Sequence, residues 1–542
     1  MKAKPFAITL DVGSSLLNKT GSWRTERPVY LDRIPPCNNA CPAGENIQRW
    51  LYLAEEGRYE DAWRQVMEDN PFPAIMGRVC YMPCEGACNR GQLDESVGIN
   101  SVERFLGDEA LRYQWTVEPG LDTGKKVMIV GAGPGGLAAA YHLRRFGHRV
   151  TIFETAAKPG GLIRYGIPKY RMPREKLNGE IRRIEEMGVE IRCNTRIEDI
   201  LATRDQGGFD AVILALGAPA PRRADIPQEG RGVIVLDALD VLREVELEEP
   251  TAMRGHVVVQ GGGNTAMDVA RSAVRLGCPA VTVVVRRDRS DMTAHPMEIH
   301  EAIEEGVEIK PLRVINRIEG RELTLEKNLL GEDRRPIATG ELETMQADVV
   351  VQALGQVVED ELLSKLPGLE IRDGVVMIDR HMLSGAEGVF CLGDMVPSSR
   401  TVTVAIGQGK KAARNTDAWL GGQVYEAAPK HEVAVFDMLN TWYYTDAPRT
   451  VRPMLDLMRR QSGFAEVVGN LNEENAKFEA RRCLSCGNCF ECDNCYGICP
   501  DNAITKLGPG ERFVFKYDYC KGCGMCAAEC PCGAIRMEPE EI

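Results

Sequence analysis

The chain changes its hydrophobic rhythm several times, and each change predicts a change of architecture. Residues 46–69, NIQRWLYLAEEGRYEDAWRQVMED, carry apolar side chains at helical spacing and stop at Asn70-Pro71, which predicts a helix within a helical N-terminal domain. From Lys126 the pattern shortens to an apolar run, VMIV, a glycine turn, a helical stretch and a second apolar run, RVTIF; together these make a βαβ unit. The same rhythm returns at His256. Two further apolar runs close on glycine, AVILALG at 211–217 and ADVVVQALG at 347–355, and read as buried strands. A mixed stretch from about 420 to 480 then leads into a cysteine-rich tail. The breaks predict a helical domain over 1–120, a nucleotide domain split between 121–250 and 371–420, a second nucleotide domain over 251–370, a connector over 421–480 and a tail domain over 481–542.

At 542 residues there is room for about three or four domains, and 44% hydrophobic with 27% charged is an ordinary soluble composition. A formal charge of −13 argues against nucleic acid or an anionic membrane as the main partner and for proteins and nucleotides. The opening MKAKPFAITLDVGSS lacks the apolar core of a signal peptide, and no run is long enough to cross a bilayer, so a cytoplasmic location is expected. Nineteen cysteines in such a chain point to metal rather than disulfides.

The tail carries two matching runs, Cys489-x2-Cys492-x2-Cys495-x3-Cys499-Pro500 and Cys520-x2-Cys523-x2-Cys526-x3-Cys530-Pro531. Thiolates two residues apart wrap a cubane and ligate three irons, while the cysteine before proline reaches the other cluster. The pattern therefore predicts two 4Fe-4S clusters, one on Cys489, Cys492, Cys495 and Cys530 and the other on Cys520, Cys523, Cys526 and Cys499. A pair of zinc knuckles is the alternative that C-x2-C spacing also permits.

Gly131-A-Gly133-Pro134-G-Gly136 follows a strand and opens a helix, and Glu154 ends the next strand. In that context the glycines let backbone approach a pyrophosphate on the helix N-terminus, while the acid accepts bonds from an adenosine ribose. Further on, Gly393-Asp394 closes a strand where an Asp can hold the ribityl chain of FAD or cap a helix. A helix begins near Thr403 and Ala405 whose first amides can face a flavin. The second unit, Gly261-G-Gly263-Asn264-Thr265-Ala266, predicts another dinucleotide site. Its next strand ends in Arg286-Arg287 where an NAD-selective site carries an acid, which favours NADPH over NADH unless those arginines serve surface ion pairs. Hydride transfer between bound cofactors needs no side-chain nucleophile. No C-x2-C or C-x4-C pair occurs between residues 89 and 482; Cys193, Cys278 and Cys391 stand alone there and read as structural thiols.

The segments Cys37-N-N-A-Cys41-P, Cys80-YMP-Cys84-EGA-Cys88 and GINSV-Glu103, with GGLIRYGIP at 160–168, GGGNTAMD at 261–268 and VFCLGD at 389–394, resemble the small subunit of NADPH-dependent glutamate synthase. The same module resembles the N-terminal part of dihydropyrimidine dehydrogenase and the large subunit of NADH-dependent ferredoxin:NADP oxidoreductases. The resemblance spans about residues 35–420. It implies FAD, with Gly161, Leu162 and Arg164 at its site, a nicotinamide dinucleotide and two N-terminal 4Fe-4S clusters. The family carries an R-C-L-x-C pair just before the position of Cys37, and here that pair is missing. Matching text, Arg482-Cys483-L-S-Cys486, stands immediately before the tail motifs instead. A relocated pair would put Cys37, Cys88, Cys483 and Cys486 on one cluster, leaving Cys41, Cys80, Cys84 and, by the resemblance, Glu103 on another. Four cubanes then use fifteen cysteines and one carboxylate; the alternatives are that Cys483 and Cys486 bind no cluster, leaving one N-terminal cluster, and that Glu103 is an ordinary surface glutamate.

The expected fold is α/β multidomain: a helical iron–sulfur domain, two nested Rossmann-like domains for FAD and NAD(P), and an α+β bacterial ferredoxin-like tail. The expected function is electron transfer between NAD(P)H and a protein redox partner or ferredoxin within a hetero-oligomer, the partner drawn from enzymes such as 2-oxoacid:ferredoxin oxidoreductases. A glutamate synthase small subunit, an electron-bifurcating subunit and a non-enzymatic cluster scaffold are the alternatives.

Overall fold

The computed structural model describes residues 19–540 apart from 250, 360 and 509. The opening MKAKPFAITLDVGSS, where no signal-peptide core is found, lies outside the described residues. Two five-stranded parallel sheets form the centre. The first runs, in spatial order, through Val389–Cys391, Ala211–Leu214, Lys126–Val130, Arg149–Phe153 and Glu190–Arg192; the second through Glu308–Pro311, Ala280–Val285, His256–Gln260, Val349–Gln352 and Ile234–Asp237. Their inner strands are buried on both faces, which is why they read as unbroken apolar runs rather than alternating ones. The chain leaves the first sheet after Leu214 and returns at Val389, with the short pairing of Ala220–Pro221 and Gln356–Val357 at the crossing. The second domain begins earlier than residue 251, because Ile234–Asp237 and the helix Ala238–Leu247 already belong to it.

Three elements were not legible as drawn from the sequence. The helix expected over 46–69 is two, Ile47–Glu55 and Tyr59–Met67, broken where Gly57 takes a left-handed conformation at φ 77°. A hairpin layer, Arg313–Glu319, Glu322–Leu330 and Pro336–Gln346, stands on the second sheet. The connector is not a linker but a strap over the body: the helix Glu473–Arg481 packs on Ile47–Glu55 and Ile99–Tyr113, and Glu466 pairs with Arg78 (2.7 Å) and Arg104 (2.8 Å).

In the helical domain, Pro73–Val79 and Ile99–Tyr113 cross so closely that a Cβ on Gly77 would meet the Arg104 backbone and one on Gly107 the backbone of Ala74. Trp50 and Trp63 fill its core. The tail is tied back by the chain's own beginning. Strand Glu26–Tyr30 pairs antiparallel with Ile535–Pro539, Arg24 pairs with Glu540, Tyr30 stacks on Phe515 at 4.9 Å, and Arg33 donates to the Gly533 carbonyl at 2.7 Å.

Candidate functional site

The first phosphate loop has the shape its sequence demands. Gly131, at φ 105°, approaches the Ala215 carbonyl, and Gly136 approaches the Gly131 carbonyl, so neither position has room for a Cβ. Gly133 faces open space at the start of the helix Pro134–Arg145, where amides remain for an anion. Gly161 lies across this opening, its Cβ position 2.8 Å from the Gly133 Cα. Glu154 is fixed at its strand end by N–H donors from Ala132 (2.8 Å) and Ala156 (2.7 Å), one to each oxygen, and each oxygen keeps a lone pair for a hydroxyl. Leu162 begins the next helical turn, Leu162–Tyr165. The buried guanidinium of Arg164 donates to the Pro159 carbonyl and Asn178, both at 2.6 Å, and so braces this loop. Gly393 and Asp394 enter a single tight turn, and burial raises the Asp394 carboxyl above the usual range. The helix Val402–Leu420 follows, capped by Thr401 and carrying Thr403 and Ala405 buried in its first turn.

In the second unit Gly261 abuts the Ala353 carbonyl, Gly263 opens the helix Asn264–Arg275, Ala266 is buried, and Thr265 is half-buried. Asn264 accepts from the His295 N–H at 2.8 Å. Arg286 is exposed and Arg287 half-buried, with the Arg287 Nε buried and lacking a partner. Among the described residues neither arginine makes an ion pair. An unmet guanidinium N–H at a nucleotide strand end fits a 2′-phosphate.

The two nucleotide domains are locked by buried charge. Arg171, from the flavin side, pairs with Asp268 (2.8 Å) and Glu298 (2.7 Å); Arg271 pairs with Glu298, Glu301 and Glu305; Arg275 and strap residue Arg460 also reach Glu305. Burial alone would raise the Glu305 carboxyl, but the Arg275 and Arg271 guanidiniums override it and hold it at about 2. Tyr81, beside Cys80, stacks on His295 at 4.9 Å, so the helical domain joins the same seam.

Fifteen of the nineteen cysteines fall into four groups. Cys37, Cys88, Cys483 and Cys486 line one cavity with Pro35, Leu51 and Val97. Burial first, then the charges of Cys483, Cys88 and Cys486, push the Cys37 thiol well up; four thiols so placed need a cationic core to ionise together. The segment bearing Cys483 is sewn into the body, with Arg482 pairing to Glu479 and Asp94 and Glu479 accepting from the Gly98 N–H at 2.7 Å. Burial first, and then nearby charge that includes Glu103, raises the Cys41, Cys80 and Cys84 thiols, so these four side chains share one buried neighbourhood. Glu103 accepts from Asn70 at 2.8 Å, and the same amide reaches Glu45 at 3.0 Å. Cys80 Sγ accepts from the Thr403 hydroxyl at 3.3 Å, which ties this group to the flavin-side helix.

In the tail, Cys489, Cys492, Cys495 and Cys530 act on one another, and Cys499, Cys520, Cys523 and Cys526 line one cavity with Pro28 and Phe515. Among the described residues no three His, Cys, Asp or Glu side chains converge on a single-ion site. Sequence reasoning left Cys532 without a role; its Sγ lies 3.7 Å from Cys530 Sγ and favours the Cys530 thiolate. No spacing rule marks such a residue.

Fold and site define an FAD- and NAD(P)-binding iron–sulfur flavoprotein. Residues 125–409 match the model of the pyridine nucleotide-disulphide oxidoreductase family, residues 26–115 that of dihydropyrimidine dehydrogenase domain II, 4Fe-4S cluster, and residues 488–534 that of the 4Fe-4S dicluster domain. The chain is 34% identical over 501 residues to the NADP(+)-dependent formate dehydrogenase subunit beta of Moorella thermoacetica, covering 83% of this chain and 70% of that one. It is 34% identical to the NADPH-Fe(3+) oxidoreductase subunit beta of Geobacter sulfurreducens, with 84% and 76% covered, and 33% identical to the glutamate synthase [NADPH] small chain of Azospirillum brasilense, with 71% and 86% covered. The chain belongs to the pyridine nucleotide-disulphide oxidoreductase family, in its iron–sulfur branch related to the glutamate synthase small subunit. It is an NAD(P)H-dependent oxidoreductase that uses FAD and 4Fe-4S clusters to pass electrons to a redox partner or ferredoxin. No helix among the described residues is long and apolar enough to cross a membrane.

Proposed function

We propose that this chain is the NAD(P)H-facing subunit of a hetero-oligomeric redox enzyme and that it holds four clusters in one line. FAD supplies the exchange between a hydride pair and single electrons, and clusters carry those electrons singly. The observation that carries the reading is the cavity shared by Cys37, Cys88, Cys483 and Cys486, which makes the tail part of the body. The line begins with Cys41, Cys80, Cys84 and Glu103, joined to the flavin-side helix through Thr403. It continues through the shared group, then Cys489, Cys492, Cys495 and Cys530, then Cys499, Cys520, Cys523 and Cys526.

Short stretches of chain tie each group to the next. Cys37 and Cys41, Cys84 and Cys88, Cys495 and Cys499, and Cys526 and Cys530 are pairs four residues apart; Cys486 and Cys489 are three apart. Three extended residues span at most about 11 Å, so no movement of the tail can part the middle groups. Arg286 and Arg287 support NADPH over NADH, as do relatives named for NADP(+) and NADPH. Relatives named as beta subunits support a protein partner.

The test is a Cys483→Ser, Cys486→Ser double variant prepared anaerobically. A quarter of the iron should be lost, and reduction of the tail clusters by NADPH should slow, while NADPH still bleaches the flavin. Full iron content with undiminished tail reduction rejects the shared group.

A further inference from the structure

The strap carries a feature that the relay does not use. Trp442 is 86% exposed, yet the loop that presents it is held from every side. The Asn440 N–H donates to the Pro531 carbonyl at 3.2 Å and its side-chain amide to Ala528 at 2.9 Å; the Tyr443 hydroxyl bonds Glu529, and Tyr444 donates to the Leu484 carbonyl at 3.1 Å. A large aromatic ring held in water by a rigid turn is an anchor without its pocket. Tyr443, 46% exposed, and Asn440 bond Glu529 and Pro531, the two neighbours of Cys530 in sequence, and Cys492 is the one member of that group that is exposed. The ring therefore stands beside the outer edge of the Cys489, Cys492, Cys495 and Cys530 group.

Charge says what kind of surface fits. Asp437 and Asp446 flank Trp442 in sequence, Glu491 and Asp493 flank Cys492, and Glu529 precedes Cys530; of these acids Asp493 pairs with Lys506, while Arg512, near Cys489, is paired with Asp32. At the other tail group acids and bases are balanced, with Asp501 beside Lys521 and Asp518 beside Lys19. Exposed apolar side chains on and around that group, Leu507 at 56%, Val514 at 46%, Met525 at 39% and Ile498 at 38%, are smaller and each less exposed than Trp442.

We propose that Trp442, Tyr443 and Cys492 form the docking face for a redox protein whose one-electron centre lies beside an apolar pocket ringed by basic side chains. The inference rests on the relay reading above and places a protein contact at the third cluster group rather than at the chain's last. One electron crosses per encounter, lost by one protein and gained by the other, with no bond made or broken. Complementary charge speeds and orients the encounter, and the indole supplies the contact.

The probe is a cationic c-type cytochrome, titrated calorimetrically against the anaerobic holoprotein at low salt and then used as electron acceptor. Trp442→Ala should weaken binding and slow cytochrome reduction by about tenfold or more. An Asp437→Asn, Asp446→Asn double variant should flatten the salt dependence of both. NADPH reduction of a small viologen dye should remain at the wild-type rate in each. Unchanged binding in the Trp442 variant overturns the proposal, as does a larger loss from Met525→Ala at the other group. A dimer in gel filtration that Trp442→Ala dissolves would also overturn it, since a second copy would then cover the face. If NADPH fails to bleach the wild-type flavin the relay reading falls, and the binding titration still reports on the surface.

Discussion

The cysteines of the body and those of the tail differ in what surrounds them. Cys37 and Cys84 belong to the large apolar core that also holds Trp50, Trp63 and the first nucleotide sheet. The tail's own core is nine buried residues, of which Cys495, Cys526, Cys530 and Cys532 are four. In the body, thiols are guests in a core that aromatic and aliphatic burial already sustains. In the tail, ligands are a large part of the core itself, and small domains of this size lean on metal to hold together. Exposure follows the same division: Cys492 and Cys523 reach solvent, whereas no cysteine of the two inner groups is exposed. Solvent access and hydrogen bonding set cluster potential, so the inner groups suit transit and the outer ones exchange with a partner.

The most forceful way to break the comparison is to remove the iron. Anaerobic chelation should abolish amide-exchange protection across residues 489–539 while leaving the sheets through Val127–Val130 and Val257–Gln260 protected. Equal loss in both regions would show that the body, too, depends on metal, and equal retention would show that the tail does not.

A smaller effect tests how the body holds its shape without metal. Arg271 is fully buried and touches three carboxylates, and breaking such a network leaves charge uncompensated. Arg271→Met should cost about 3–5 kcal/mol of stability, read as a lowered midpoint in denaturant, with iron content unchanged. If Arg287 holds a 2′-phosphate as proposed, Arg287→Ala should raise KM for NADPH about tenfold and leave KM for NADH unaltered; an equal rise for both would reject that role.

What the sequence showed, it showed through local spacing. The cysteine runs, Gly131-to-Gly136 and the buried strands each lie within a few dozen residues, where turn geometry and ligand reach dictate the pattern. The strand Glu26–Tyr30 escaped notice because ERPVY is short and partly polar, and its partner lies some five hundred residues away. The strand Pro336–Gln346 is exposed along most of its length, so it has no alternation to read. The strap was taken for a connector because its burial comes from scattered ion pairs and one helix rather than from a periodic face. The pairing of Cys483 and Cys486 with Cys37 and Cys88 was visible only as displaced text, and the structure brings those four around one cavity.

The finest test concerns Tyr30, whose side chain reaches a tail thiol from the strand Glu26–Tyr30. Its hydroxyl lies 3.7 Å from Cys495 Sγ, and once that sulfur is a ligand thiolate only the phenol can donate. A hydrogen bond to a cluster sulfur favours the more negative, reduced state, so Tyr30→Phe should shift the potential of that cluster downward. The bound on the shift is about 40 mV, the ~1 kcal/mol of one hydrogen bond expressed for a one-electron couple. Ring stacking on Phe515 is kept in the variant, so the strand pairing and the iron content should stay as they are. A redox titration followed by low-temperature EPR reads the shift. If the potential instead rises, or several clusters move together, the strand Glu26–Tyr30 acts on the tail through its fold rather than through one sulfur, and the tail is less separate from the body than its small core implies.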